Sequence, residues 1–287
     1  MKKLIINADG FGFTFGNNRA IFEVAKAGSI TSISVNTNFP AVNDLKTFSD
    51  LFPNISIGVH LNPVVGKPVL DTKKIPSLLD TKSEFWGDLF PEKLRNGHIK
   101  LNELYDELTA QVEIVLNMGI NVTHLDSHQN QHLRPGFFPT FLRIAKETGI
   151  RCMRTHRHYI CAECENRRLE AAKYYISHVK TAALHIYTRS LMQKAKRRGM
   201  RMADRLLSVG HATGAKKTSI NVWMRMFKNI PSGISEVYCH PAYPDNTLRM
   251  YADYVDERTK EREVLLSPQF KTLIVHSGVN LIGFNDI

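Results

Sequence analysis

Short apolar runs alternate with amphipathic stretches along most of this chain. Leu4–Ala8 reads as a buried first strand. Asn17–Ala27 reads as a helix, with Ile21, Phe22, Val24 and Ala25 on one side and Gly28 as its stop. Ser32–Val35 and Ile55–Leu61 are further strands. Leu101–Met118 carries the strongest helical signal. Leu101, Leu104, Tyr105, Leu108, Val112, Val115 and Leu116 form one apolar stripe, and Gly119 ends it. Val122–Ser127 is then a strand, Pro135–Thr148 a helix ended by Gly149, and Arg151–Thr155 a strand. Glu236–Cys239 is a late strand. Ser267 caps a helix with Pro268 in its first turn and Gly278 after it, and Leu281–Phe284 is a final strand.

Strand–helix alternation of this kind implies an α/β fold with a parallel sheet. With about seven or eight such units, a (β/α) barrel-like fold, closed or incomplete, is favoured over an open sheet. Gly10, Gly12 and Gly16 do not match the dinucleotide-binding spacing, so a Rossmann reading is weak. From His156 to about Lys217 the rhythm breaks. That stretch is basic and helical in pattern with almost no strand signal. We read residues 1–287 as a single domain with a basic helical insertion at about 156–217.

Composition narrows this picture only in part. A chain of 287 residues with 43% hydrophobic content can bury a sizeable core. No apolar run is long enough to cross a bilayer. Lys2 and Lys3 precede an apolar run, but Asn7 and Asp9 interrupt it too early for a signal peptide, so a cytoplasmic location is expected. The formal net charge is +11, and Lys194, Lys196, Arg197, Arg198, Arg201 and Arg205 crowd one segment. That segment is either a solvated helix face or a contact for an anionic substrate or an anionic membrane surface. No nucleic-acid-binding signature accompanies it, and nucleic acid is not expected as a partner. Cys152, Cys161, Cys164 and Cys239 do not form a disulfide framework. Ordinary thiols are the expectation. The alternative is a structural zinc held by Cys161 and Cys164 with His156 and His158.

Candidate chemistry collects at strand ends. In the stretch from Thr123 to His132, the residues His124, Asp126 and His128 alternate, so on a strand they leave one face. Imidazole and carboxylate together suit a divalent metal or a proton-transfer site. Asp9, His60, His128 and His240 each directly follow or end an apolar strand. In a (β/α) barrel the strand C-termini meet at one mouth, so these residues converge. His132, four residues after His128, is expected at the surface, with direct ligation beside His128 as the alternative if the loop turns helical. Phe11, Phe13, Phe15, Phe85, Trp86 and Tyr243 flank the same segments and offer faces for sugar rings or side chains for the core.

Several of these segments carry a resemblance. Asn7-Ala8-Asp9-Gly10-Phe11-Gly12, Gly58-Val59-His60-Leu61-Asn62 with Gly66-Lys67-Pro68, Pro76-Ser77-Leu78-Leu79, Thr123-His124-Leu125-Asp126-Ser127-His128, His240-Pro241 and the closing Arg258, Glu261 and Ser267-Pro268 resemble the YdjC/ChbG family of carbohydrate deacetylases. The resemblance implies a barrel-like α/β fold and metal-dependent hydrolysis of the N-acetyl group of an amino sugar, in an oligosaccharide or a glycolipid. It implies His60 and His128 as metal ligands, Asp9 as general base, and His240 as an acid or substrate contact. Phe11, Asn62, Asp126 and Tyr243 are expected to touch substrate, with Asp126 alternatively bonding a ligating imidazole. The family usually has a second aspartate as metal ligand where this chain has Gly10. That loss weakens zinc more than magnesium, because magnesium tolerates several waters. It also leaves a weakened or non-catalytic glycan-binding relative as the alternative. The expected partners are an N-acetylated carbohydrate, free or lipid-linked, an anionic membrane for the insertion, and a second copy in a homodimer.

Overall fold

The computed structural model describes all 287 residues. Its strands are β1 (Lys2–Phe11), β2 (Ser32–Val35), β3 (Ser56–Leu61), β4 (Val122–Ser127), β5 (Cys152–Met153), β6 (His158–Tyr159), β7 (Arg205–Leu207), β8 (Gly233–Cys239) and β9 (Val279–Leu281). They form one sheet in the order β5-β4-β3-β2-β1-β8-β7-β6, with β9 paired to the start of β1. Every ladder is parallel. β1 is the central strand, and each residue from Leu4 to Phe11 is buried. That continuous burial is what a parallel strand with both faces covered requires.

The sheet curls into an incomplete barrel, as the strand–helix rhythm predicts. Arg201 reaches across toward the β5 edge. Its N–H donates to the Arg151 carbonyl at 2.7 Å, and its own carbonyl accepts from Met153 N–H at 3.0 Å. Helices cover the outside at Phe15–Lys26, Leu101–Asn117 and Phe137–Glu147. The first begins two residues earlier than its apolar pattern, because the Thr14 side chain caps it by accepting from Asn17 N–H. Gly28 follows with φ +71°, the left-handed stop its position predicts.

Two segments depart from expectation. The stretch 156–217 contributes β6 and β7 to the sheet. Strands of two and three residues are too short to show any alternation in sequence. Between them run the helices Arg167–Ser177 and Val179–Arg197, and the second joins the main core through Leu191, Met192 and Ala195. The last strand ends at Leu281, and Phe284–Asp286 is a short 3₁₀ turn. Here Gly283 lies so close to Ser56 that an added Cβ would sit 2.4 Å from its Oγ, and the Phe284 ring stacks on His124.

Candidate active site

Parallel register decides which side chains meet. Ala8 of β1 pairs with Cys239 of β8, so Asp9 and His240 emerge side by side. His240 Nε2 lies 3.9 Å from Asp9 Oδ2. His60 of β3 pairs with Asp126 of β4, and His60 Nδ1 lies 2.8 Å from Asp126 Oδ1. Asp9, His60, His128 and His240 line one cleft of about 530 Å³ at the C-terminal ends of the strands. The convergence read from strand-end positions is therefore present.

The centre of the cluster is a residue the sequence analysis did not single out. Arg154, fully buried, donates to both oxygens of Asp9, at 2.6 and 2.7 Å, in the two-pronged geometry of a guanidinium on a carboxylate. It also lies 2.8 Å from Asp126 Oδ2 and donates to Glu236 Oε1 at 2.8 Å. The available signal was the same one that found the others: a charge placed directly after the apolar end of a strand, Cys152-Met153.

These contacts set the charge states. Burial alone would raise the Asp126 carboxyl, but the Arg154 guanidinium and His60 outweigh it and hold that carboxyl well below the ordinary range. Glu236 goes the other way: burial pushes it up to about 7 although Arg154 opposes the shift. Burial lowers the His128 imidazole to about 3, helped by His60 and Arg258. His240 is lowered as well, by burial and by Arg258, Lys217 and Arg154. Its side chain keeps 26% exposure, which makes the effect smaller than complete burial would give.

The residues present fit a divalent metal. Asp126 engages His60 Nδ1, which leaves Nε2 as the free ring nitrogen, and a carboxylate behind an imidazole is the usual support for a ligating histidine. His128 Nε2 is buried with no hydrogen-bond partner. The two rings are 5.7 Å apart at 82°, a spacing that lets both reach one ion. Asp9, His60 and Asp126 offer ligand atoms within 4.8 Å of one another. A side chain at Gly10 would displace the Asn17 amide. The Gly10 φ is +102°, and an added Cβ would lie 2.7 Å from Asn17 Nδ2 and 3.7 Å from a terminal nitrogen of Arg258. An amide and a cation therefore border Gly10. No second group of this kind forms around Cys161 and Cys164, which pack with Ile160 and Ala171 in a small apolar cluster.

Three expected substrate contacts sit elsewhere, and Asp126 takes its alternative role behind His60. Phe11 is in the core against Phe22 and Phe48, because the β1–β2 register shifts between Asp9 and Phe11 and turns its ring away from the cleft. Asn62 is buried and staples its own loop, accepting from Val64 and Val65 N–H and donating to Asn38 Oδ1. Tyr243 donates to Glu23 and lies between Arg19 and Arg262. Asp126 lies beneath the cleft floor as the partner of His60 and Arg154. His132 is buried, not at the surface, with Ser127 Oγ 2.6 Å from its Nδ1 and its ring stacked on Phe141. His124 is also buried, between Phe284 and Ser34. The aromatic side chains that line the cleft are Phe13, Tyr238, Tyr251 and Tyr254. Tyr254 and the His240 backbone N–H are both held by the buried carboxylate of Glu261.

Known proteins share this organisation over the whole chain. Carbohydrate deacetylases of Thermoanaerobacter pseudethanolicus and Enterococcus faecalis are 24% and 28% identical to it, with alignments covering 99% and 100% of this chain and 99% and 98% of theirs. A crystal structure from Enterococcus faecalis, described as a cellobiose-phosphate cleavage protein, superposes with a TM-score of 0.77 at 25% identity, covering 99% of this chain and 98% of that one. The profile of the YdjC-like protein family matches residues 3–276. With fold, strand-end residues and family profile in agreement over nearly the full length, the chain belongs to the YdjC-like family.

Proposed function

We propose that this protein is a metal-dependent hydrolase that removes the N-acetyl group from an amino sugar in an oligosaccharide or glycolipid. The observation that carries the reading is the unpartnered, buried His128 Nε2 facing His60 beside an Asp9 carboxylate fixed by Arg154. Curated relatives of the same length are carbohydrate deacetylases, which supports the same reaction class.

His60 and His128 would hold the ion, which supplies Lewis acidity toward the amide carbonyl. Arg154 fixes the Asp9 carboxylate so that it can take a proton from the attacking water. His240, neutral at rest, stands 3.9 Å from Asp9 and is placed to relay that proton to the departing amine. Phe13, Tyr251 and Tyr254 supply ring faces for the sugar. A site with few protein ligands suits magnesium, while a pair of imidazoles suits zinc. We further propose that residues 1–287 act as one unit, with the helices Arg167–Ser177 and Val179–Arg197 as an elaboration of it.

The test is acetate release from N-acetylated amino-sugar oligosaccharides by protein stripped of metal and reloaded with magnesium or zinc. Asp9→Asn should lower turnover at least about 100-fold. His60→Ala and His128→Ala should each weaken metal binding, read by calorimetry, by at least about tenfold. Release that persists unchanged in all three variants would defeat the assignment. Glycan binding without acetate release under either metal would instead identify the weakened relative that Gly10 suggests.

A further inference from the structure

The basic segment supplies none of the residues lining the cleft, yet it has a surface of its own. Leu169, Ile176, Val179, Leu184, Ile186 and Tyr187 form the densest run of exposed large apolar side chains in the chain. Ile176, Val179 and Ile186 are 77%, 69% and 71% exposed. In the helix Val179–Arg197, Val179, Ala183 and Ile186 share one face, and the same face continues to Arg197, with Lys194 beside it. The buried side of that helix is confined to Thr188, Leu191, Met192 and Ala195, opposite Val179 and Ile186, so the apolar face is turned outward.

Next to this face is a cavity of about 520 Å³. Ile186 stands in its wall together with Arg157, Arg189 and Arg205. The one carboxylate in the wall, Asp204, already accepts from Ile234 N–H. Three guanidiniums against one carboxylate leave the cavity electropositive. A cationic pocket rimmed by isoleucine, beside a helix that exposes apolar residues followed by lysine and arginine, matches the chemistry of an anionic lipid surface: phosphate below, hydrocarbon beside it.

We propose that the helices Arg167–Ser177 and Val179–Arg197 dock the protein on an anionic membrane. Ile176, Val179 and Ile186 enter the headgroup boundary, and the cavity between Arg157 and Arg189 receives a lipid phosphate. A second copy of the chain fits less well, because the face would meet its own lysines and arginines. Nucleic acid would use the charge but leave the isoleucines without a role. The surface lies close to the cleft. Tyr187 Oη donates to the Leu133 carbonyl at 3.1 Å and Thr188 Oγ1 to that of His156 at 3.0 Å, so the helix is seated on the loop that follows His128. The proposal stands on this surface and does not depend on the deacetylase reading.

Co-sedimentation of the full chain with vesicles of phosphatidylcholine alone, or mixed with phosphatidylglycerol, tests it at low and high salt. The expected result is binding only to the mixed vesicles, weakened by salt. The pair Ile176→Ser with Ile186→Ser, and the pair Arg157→Gln with Arg189→Gln, should each weaken binding at least about fivefold. Ile176→Leu with Ile186→Leu should retain it, and melting curves establish that each variant is folded. Absence of phosphatidylglycerol-dependent binding overturns the proposal. So does binding that the serine pair leaves unchanged, random-sequence duplex DNA bound as tightly as the vesicles, or a dimer that the serine pair breaks.

Discussion

At the scale of single residues, the site is a problem of too many carboxylates for one guanidinium. Asp126 lies well below the ordinary carboxylate range and Glu236 is pushed up to about 7, although both touch Arg154. Glu236 therefore keeps its proton in the folded chain over a window, from about pH 4.3 to 7, in which the unfolded chain has released it. Its contribution to stability is complete below the unfolded value and is lost as pH rises through the folded one. Glu236→Gln cannot ionise. From about pH 5 to pH 8 it should gain stability relative to the parent by on the order of 3 kcal/mol, read from denaturant melts at the two pH values. Parallel pH dependence of the two proteins would reject this. Asp9, His60, His128 and His240 were legible because a polar residue at the end of an apolar strand is unusual and a barrel gathers such ends. Arg154 obeys the same rule but follows a strand of only two residues, whereas Glu236 lies inside β8 and carries no strand-end signal. Phe11, expected at the substrate as an aromatic beside Asp9, packs in the core because the register shift after Asp9 turns its ring away from the cleft.

At the scale of elements, turns do the positioning. The turn His128–Leu133 begins at the ligand candidate itself, and Gln129 and Asn130 both adopt left-handed φ, at 50° and 56°. Two consecutive non-glycine residues in that region carry a conformational cost, and the turn persists because Ser127 Oγ accepts from His132 N–H and Gln131 is buried within it. On β1, the bend at Gly10 and Gly12 leads into the helix capped by Thr14. Thr14→Ala should cost about 1 kcal/mol and lower the melting midpoint by about 3 °C, whereas Thr14→Ser should hold both. An unchanged midpoint in the alanine variant would mean that the cap contributes nothing. Long elements such as Leu101–Asn117 were legible from periodicity to within a residue. β6, β7 and the end of β9 were not, since a strand of two or three residues owes its existence to its neighbours and has no pattern of its own.

For the whole molecule, Arg154 is a tie between strands distant in sequence: it joins Asp9 of β1, Asp126 of β4 and Glu236 of β8 from a position just beyond β5. Removing the cation would leave three buried carboxylates without it. Arg154→Met should cost about 3–5 kcal/mol and lower the melting midpoint by roughly 10 °C, a far larger loss than any exposed ion pair would give. A thermal melt that matches the parent would show the cluster to be energetically neutral. No helix is long and apolar enough to cross a membrane.

β1 lies between β2, made soon after it, and β8 and β9, which are made last. During synthesis the ten residues of β1 therefore wait, with one edge bare, until more than two hundred others have followed them. A bare apolar edge of that kind invites pairing with other nascent chains, so the interval before β8 arrives is when this protein most needs a chaperone.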